Sequence, residues 1–434
     1  MKYQPLNIGR VSPRVKYQPL NLARWIIWGA TALLMAVLPL VFTQGFAITL
    51  MSQMGIAIIF TLSYNMLLGQ SGMLSFGHAV YSGLGAYIAV HVLNMSSKGQ
   101  LWMPVSLLPL VGGLAGAFFG VLFGYVTTKR AGTTFAMITL GIGELVFSCS
   151  LMFPEFFGGE GGVTTNRVFG QPFLGISFGP ATQVYYLIAL WCLASMALMY
   201  AWSHTPLGRM ANAVRDNPER AEFVGYDTQK VRWLTLIISA FFAGVAGALG
   251  CINFEIVTAE NVSAIRSGGV LLAAFIGGVG FFFGPIIGAC VFVYFVVALS
   301  DHTRAWQLYL GLFFILTVMF APGGIASLVM MQLPVIARKR FGELLPHYAR
   351  TGAAGLLVLA ALILTVEMTY KVSVDSADGT AMSLFGVEFD AAGALPWTVA
   401  GGLWLVGGWL FHRARRRLAR TWGDIQAEIA GVKA

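Results

Sequence analysis

The chain has 434 residues, of which 57% are hydrophobic and only 10% are charged, and its mean hydropathy is +0.75. A soluble domain cannot bury that much apolar surface, so the composition predicts a polytopic membrane protein. The net charge of +9 does not indicate nucleic-acid binding, because the basic residues stand between apolar runs, where they set orientation in a membrane.

The first 24 residues form a basic segment that contains a short duplication. Residues 2–10 read K-Y-Q-P-L-N-I-G-R, and residues 16–24 repeat them as K-Y-Q-P-L-N-L-A-R. The repeat is too short and too rich in proline to pack as a structural unit, and no convincing signal-peptide cleavage site follows it. We predict a basic cytoplasmic tail over residues 1–24.

Apolar runs long enough to cross a bilayer follow the tail. Twelve such runs lie at 25–43, 46–68, 79–95, 105–127, 134–153, 183–202, 233–254, 267–283, 284–300, 306–321, 353–368 and 395–411. They predict an all-α polytopic fold with about ten core transmembrane helices and a C-terminal two-helix extension. We expect a transmembrane core over 25–330 and an extension over 331–434 that carries a hairpin and a basic tail.

Glycine interrupts this pattern between 267 and 300. The breaking residues there are Gly277, Gly278, Gly280, Gly284 and Pro285. They divide the region into two short pieces, which we expect to be broken or re-entrant.

Basic residues are distributed unequally between the two sides of this arrangement. The two tails and the loops at 128–133, 203–232 and 322–352 hold 22 of the 27 Lys and Arg residues. The positive-inside rule therefore predicts that both termini and the 203–232 loop are cytoplasmic.

A polar, glycine-rich run joins the second and third apolar runs. Residues 65–87 read N-M-L-L-G-Q-S-G-M-L-S-F-G-H-A-V-Y-S-G-L-G-A-Y. Irregular backbone is costly in lipid, so a break here must face protein or a water-filled cavity. One interpretation is a substrate pathway at discontinuous helices; the other is a tight helix-packing seam. The candidate pathway residues are Asn65, Gln70, Ser71, Ser75 and His78.

Glu144, in T-L-G-I-G-E-L-V-F, is the one acidic residue in the middle of a predicted span. A carboxylate at that depth is expensive and is expected to face the interior of the helix bundle, paired or protonated. Contact with substrate, gating and a structural bond to a neighbouring helix all remain open. The absence of a second charged group in mid-span disfavours a proton-driven carrier.

The run from 153 to 180, predicted to lie outside, contains F-F-G-G-E-G-G-V-T-T-N-R. It is either a lip over an entrance or a docking surface for an external binding protein. It does not match a phosphate-binding loop, since no lysine follows at the required position and no strand precedes it.

The most polar run between two long apolar blocks is 209–232. Asn217 is suited to cap a helix, Pro218 to its first position and Glu219 to its positive end, while Gly225 is suited to end it. We predict a short helix at the cytoplasmic membrane surface. An ordinary solvated loop is the alternative.

No arrangement of catalytic or metal-binding residues is recognisable. The six histidines are scattered, and Cys149, Cys192, Cys251 and Cys290 lie in apolar runs without ligand spacing. The sequence indicates neither an enzyme nor a chain with a cofactor of its own.

Four stretches together resemble one family, the Liv-type membrane permeases of ATP-binding-cassette importers for branched-chain amino acids. They are the run at 65–87; T-T-F-A-M-I-T-L-G-I-G-E-L at 133–145; R-D-N-P-E-R-A-E-F-V-G at 215–225 with L-I-I-S-A-F-F-A-G-V-A-G-A-L at 236–249; and G-G-V-L-L-A-A-F-I-G-G-V-G-F-F-F-G-P-I-I-G-A at 268–289. The resemblance covers roughly 25 to 330.

The resemblance implies a location in the bacterial inner membrane and a coupling helix near Pro218 to Val224 that is seated on an ATPase. The residues that couple the chain to the ATPase would be Arg215, Asp216, Asn217, Pro218, Glu219, Arg220, Ala221 and Gly225. Glu219, Ala221 and Gly225 match the importer pattern E-A-A-x-x-x-G. Arg220 stands in place of its middle alanine, and the more distal I-x-L-P is missing.

The resemblance also implies partners: a second permease subunit, two ATPase subunits that bind ATP and Mg, a periplasmic substrate-binding protein and membrane lipid. The duplicated tail and the C-terminal hairpin depart from the family pattern. Alternatives are a sibling importer for urea, short amides or other amino acids, and an ion-coupled secondary carrier.

Overall fold

The structure is a computed structural model that describes residues 22–169, 177–338, 340–374, 379–384 and 386–429. Within them the helices are α1 Leu22–Val41, α2 Gly45–Ser71, α3 Ala79–Ser97, α4 Leu108–Thr127, α5 Thr133–Met152, α6 Pro154–Phe157, α7 Ala181–Ser203, α8 Pro206–Asp216, α9 Pro218–Phe223, α10 Thr228–Phe254, α11 Ala264–Gly277, α12 Gly284–Val293, α13 Trp306–Phe320, α14 Gly324–Ala337, α15 Phe341–Ser373 and α16 Ala394–Ile429. The strands are β1 Val163–Thr164, β2 Ile256–Val257, β3 Ala381–Leu384 and β4 Val387–Asp390.

The predicted all-α membrane fold is confirmed. The four strands form two small antiparallel pairs, β1 with β2 and β3 with β4, both in connections between helices. The predicted tail over 1–24 falls almost entirely outside the described residues.

The number of full-length spans is lower than the apolar runs predict. Seven described helices are long and apolar enough to cross a membrane, namely α2, α4 with the turn before it, α5, α7, α10, α15 and α16. The pair α13 and α14, bent by 43°, makes an eighth if it is one span. Three further apolar helices are shorter, namely the described part of α1, then α11, and then α12 together with the turn after it. The sequence predicts more spans because an apolar run does not show where its helix ends.

Helix α10 is the centre of the bundle and packs most closely on α4. Small residues recur every four positions on α4, and this spacing allows the two backbones to touch. A Cβ atom on Gly116 would lie 2.2 Å from the carbonyl oxygen of Ala240, and one on Gly244 would lie 2.1 Å from that of Gly112. The contact therefore depends on residues without side chains.

The connection between α2 and α3, residues 72–78, is irregular and lies inside the helix bundle. The backbone N–H of Phe76 donates to the hydroxyl of Thr139 on α5 at 3.2 Å, and that of Ala79 donates to the hydroxyl of Ser267 on α11 at 3.0 Å. The predicted break is therefore present, and protein groups satisfy part of its backbone, as a low-polarity environment requires.

Helices α11 and α12 form the predicted pair of short pieces. They run antiparallel, with Gly277 against the backbone of Gly284 and Gly288 against the carbonyl of Ala273. Gly278, with φ +108°, turns the chain between them.

The chain after α13 is more helical than the sequence predicts. The region 322–352, expected to be a loop, contains α14 and the first turns of α15. Glu367 lies inside α15 and accepts hydrogen bonds from Thr303 at 2.7 Å and Tyr309 at 2.9 Å. Helices α15 and α16 pack as the expected antiparallel hairpin, for example where Gly407 meets Leu357.

Candidate functional site

Helix α9 has the end groups that the sequence predicts. The side chain of Asn217 accepts from the backbone N–H of Arg220 at 2.9 Å, and Pro218 is the first helical residue. At the other end Gly225 adopts φ +94°, and the N–H of Tyr226 donates to the carbonyl of Ala221 at 3.1 Å. These bonds satisfy backbone groups that a short helix leaves unpaired, so α9 is defined locally by its own sequence.

Helix α10 begins directly after this element with a similar cap. The carboxylate of Asp227 accepts from the backbone N–H of Lys230 at 3.0 Å. This hydrogen bond is the main reason why the pKa of Asp227 lies below its usual value, and a hydrogen bond from the Lys230 side chain is the next. The polar segment therefore contains the starts of two helices, α9 and α10, and a side chain caps each of them.

Helix α9 exposes apolar side chains within this polar segment. Phe223 is 90% exposed and Val224 is 72% exposed, while Ala221 is buried against the bundle. Adjacent exposed Phe and Val side chains form an apolar patch, and exposed apolar patches are typical of protein–protein or membrane contacts. The sequence analysis missed both residues, although an apolar pair inside the most polar run was a visible signal.

Arg215 connects α8 to the end of α2. Its guanidinium donates to the carbonyl of Gly69 and forms an ion pair with Asp216, and its Cγ lies close to Gly72. A cation at the last carbonyls of a helix stabilises the negative helix end. Arg215, assigned from sequence to the coupling helix, therefore contacts the membrane bundle at the point where the 72–78 break begins.

His78 is buried in an aromatic environment. Its Nε2 lies 3.0 Å from the hydroxyl of Ser63, and its ring stacks on Phe60 and meets Tyr64 edge-on. The carbonyl of Ser75 accepts from the Tyr64 hydroxyl at 3.0 Å. This arrangement places His78 and Ser75 inside the protein, where both are fully buried by the described residues.

The other pathway candidates on α2 are also mostly enclosed. Asn65 and Ser71 are buried, and the Ser71 hydroxyl donates to the carbonyl of Leu67 at 2.7 Å. The side-chain oxygens of Asn65 and Gln70 have no hydrogen-bond partner among the described residues. The structure thus brings Ser75 and His78 together around Tyr64, whereas Asn65 lies beside Gly69, and Gln70 and Ser71 lie near the end of α2.

Glu144 lies on the outward face of α5, exposed together with Gly141 and Ser148. It has no hydrogen-bond or ion-pair partner among the described residues. The expectation that it faces the interior of this chain's bundle is wrong, because the inner face of α5 carries Thr139 and Gly143. A carboxylate in hydrocarbon costs about 2.5 kcal/mol or more, so this face of α5 is poorly suited to lipid.

Thr139 and Gly143 were also missed by the sequence analysis. Thr139 binds Phe76, and the backbone of Gly77 packs against Thr139 and Gly143. Nothing in the local sequence distinguishes these residues from other small residues of a packed helix. In the part of the chain that the structure covers, no three His, Cys, Asp or Glu side chains are grouped to hold a metal ion.

Comparison with known proteins gives a consistent result. Residues 46–322 match the family described as the branched-chain amino acid transport system permease component. The chain is 28% identical over 309 residues to the high-affinity branched-chain amino acid transport system permease protein LivM of Salmonella typhimurium, which covers 66% of this chain and 72% of that protein. It is 29% identical to LivM of Escherichia coli over 299 residues, covering 64% and 69% of the two chains.

A more distant relative is named for the import of a sugar and not of an amino acid. The galactose/methyl galactoside import permease protein MglC of Salmonella typhimurium is 26% identical over 262 residues, covering 56% of this chain and 75% of that protein. No solved structure matches the chain. These relatives are transport permeases and not enzymes. The family match extends over more than half of the sequence, and the chain therefore belongs to the Liv-type permease family of ATP-binding-cassette importers.

Proposed function

We propose that this chain forms half of the translocation pathway of an importer for branched-chain amino acids. A second permease subunit supplies the other half, two ATPase subunits bind ATP and Mg, and a periplasmic binding protein delivers the substrate. The transport of branched-chain amino acids by the LivM relatives supports the substrate class. The observation that carries the ATP-driven mechanism is the apolar surface of Phe223 and Val224 on a capped helix in water-exposed sequence.

The proposal also includes the location of the protein in the cell and the division of the chain into three segments. The protein lies in the bacterial inner membrane with both termini cytoplasmic, which puts α9 on the same side as the ATPases. The importer unit is 25–330, with 1–24 as a cytoplasmic tail and 331–434 as an extension. The unequal distribution of Lys and Arg supports this orientation.

The translocation path runs along the outward face of α5. Glu144 is exposed on this face, and a second permease subunit opposite it would remove the carboxylate from lipid. Gln70 lies where the path meets the cytoplasmic end of α2. The other candidate residues lie behind the outward face of α5 and shape the broken segment, residues 72–78, that supports this helix. They are Asn65, Ser71, Ser75 and His78.

A continuous series of contacts joins the ATPase surface to the path. Helix α9 follows α8, Arg215 of α8 holds the end of α2, and the 72–78 segment begins there. That segment packs on Thr139 and Gly143 of α5, next to Glu144. Closure of the ATPases would press on α9, and this series would carry the displacement to the path.

The experiment measures leucine uptake and subunit association in proteoliposomes that contain the co-expressed importer. The double substitution Phe223→Ser/Val224→Ser should remove ATPase subunits from the purified complex and reduce uptake by roughly tenfold, because a central apolar contact contributes about 2 kcal/mol or more. Val387→Ser, which changes a 61% exposed side chain on β4, is the control. Full ATPase retention in the double variant contradicts the coupling role.

The substrate is tested separately through the binding protein. Calorimetry with leucine, isoleucine, valine, urea and galactose should give binding of the branched-chain amino acids only. Binding of a different solute contradicts the substrate class and leaves the ATP-driven mechanism intact. Uptake that persists without ATPase subunits and collapses with the ion gradient indicates a secondary carrier instead.

A further inference from the structure

A cleft opens between the two helices of the C-terminal hairpin, outside the region that matches the family. It has a volume of about 530 Å³. Helix α15 contributes Arg350, Ala354 and Leu357 to its walls, and α16 contributes Trp409, Arg413 and Arg417. The small side chain of Ala354, only 5% exposed, forms part of the floor and leaves the space open.

The lining of the cleft changes from charged to apolar along its length. Arg350, Arg413 and Arg417 lie towards the polar ends of the two helices, and Leu357 and Trp409 lie towards their apolar parts. Arg350 and Leu357 are seven residues apart on one helix, so this change extends over roughly 10 Å. A phospholipid has the same order of groups along the membrane normal, from a charged headgroup to apolar chains.

The arginines at the charged end carry no ion pair with a carboxylate of the described residues. Two carboxylates on the hairpin are engaged elsewhere, since Arg340 binds Glu343 at 2.8 Å and Glu428 at 2.7 Å. Arg413 lies over the ring of Trp409, with 5.4 Å between its Cζ atom and the ring centroid. A tryptophan beside an arginine is typical of the membrane interface, where headgroups lie.

We propose that this cleft binds one anionic phospholipid, with the phosphate held by Arg350, Arg413 and Arg417 and one acyl chain along Leu357 and Trp409. Basic pockets between helices at a membrane surface recognise anionic headgroups through charge and hydrogen bonding. The orientation proposed above makes this lipid part of the cytoplasmic leaflet. The site itself does not depend on the transport function.

The test measures lipid retention by native mass spectrometry on the full-length chain in detergent. Phosphatidylglycerol is titrated against phosphatidylcholine with the same acyl chains. The wild-type chain should bind one phosphatidylglycerol in preference to phosphatidylcholine. The variant Arg350→Gln/Arg413→Gln should bind it roughly 25-fold more weakly, because each basic residue near an anionic headgroup contributes about fivefold.

Two further variants separate a defined site from general attraction by positive charge. Arg415→Gln/Arg420→Gln removes the same charge from α16 outside the cleft and should bind as the wild type does. Ala353→Phe fills the cleft without changing any charge and should weaken binding as well.

Three results would overturn the proposal: equal loss in both arginine pairs, unchanged binding in Ala353→Phe, or equal binding of the two lipids. Inorganic phosphate is added as a competitor at the headgroup end. Displacement of the lipid by millimolar phosphate would indicate a site for free phosphate and would also contradict the proposal.

Discussion

Arg215 is the residue through which the surface helices meet the membrane bundle. Its guanidinium donates to the carbonyl of Gly69, and its aliphatic part lies on Gly72. Gly72 adopts φ +69°, and a side chain there would collide with Arg215. The contact thus combines the charge of Arg215, the length of its side chain and the absence of a side chain at Gly72. In this respect Arg215 differs from the other basic residues of the loop.

We expect Arg215→Gln to reduce the number of leucine molecules transported per ATP by roughly tenfold, because a hydrogen bond from a charged group contributes about 1.5–3 kcal/mol. The measurement compares uptake with ATP hydrolysis in the same proteoliposomes. Arg209→Gln is the matched control, since Arg209 lies exposed on the same helix. A normal transport ratio in Arg215→Gln would exclude the proposed connection.

Glu144 is exposed on α5 and has no hydrogen-bond or ion-pair partner among the described residues. We expect Glu144→Gln to lower the uptake rate while the second permease subunit still co-purifies, because the amide keeps the size of the carboxylate and one acceptor oxygen but removes the charge. Glu160→Gln, in the outer connection, is the control. Loss of co-purification with Glu144→Gln would instead assign the residue to assembly.

At the scale of elements, the α4–α10 contact explains why glycine recurs every four positions on α4. A Cβ on Gly244 would lie 2.1 Å from the carbonyl oxygen of Gly112, whereas a Cβ on Gly250 of the same helix meets nothing within 4 Å. The packing of these two helices therefore imposes glycine at one position and leaves the other free.

This contrast gives a paired prediction for the same substitution on one helix. Gly244→Ala should destabilise the protein by about 1–3 kcal/mol because the added methyl group forces the helices apart. Gly250→Ala should have no destabilising effect, since alanine favours a helix over glycine. Thermal unfolding in detergent measures both variants. Equal unfolding midpoints would contradict the close packing of α4 on α10.

At the scale of the whole molecule, α14 links the family core to the C-terminal hairpin, because Val335 packs with Leu344 and Ile425 in a small buried cluster. Glu367 accepts from Thr303 and Tyr309, and Arg415 lies over Phe320 at 5.9 Å. The main buried cluster contains only residues of the core, from Ile56 to Ala289.

A chain that ends at Ala337 should therefore still insert and support leucine uptake at a rate close to that of the full-length importer. It should also lose the preferential retention of phosphatidylglycerol. Uptake assays and native mass spectrometry measure these two properties independently. Failure of the shortened chain to assemble would show that the hairpin is a structural part of the core.

The sequence by itself determined the membrane class, the break before His78, the paired short helices α11 and α12, and the ends of α9. These features depend on hydropathy and on hydrogen bonds between residues close together in the chain, so local patterns predict them. Only the tertiary structure decided that Glu144 faces outward, that Arg215 binds the end of α2, and that a basic cleft opens in the hairpin. Each of these depends on which helix faces surround a residue, and packing between distant segments sets that arrangement.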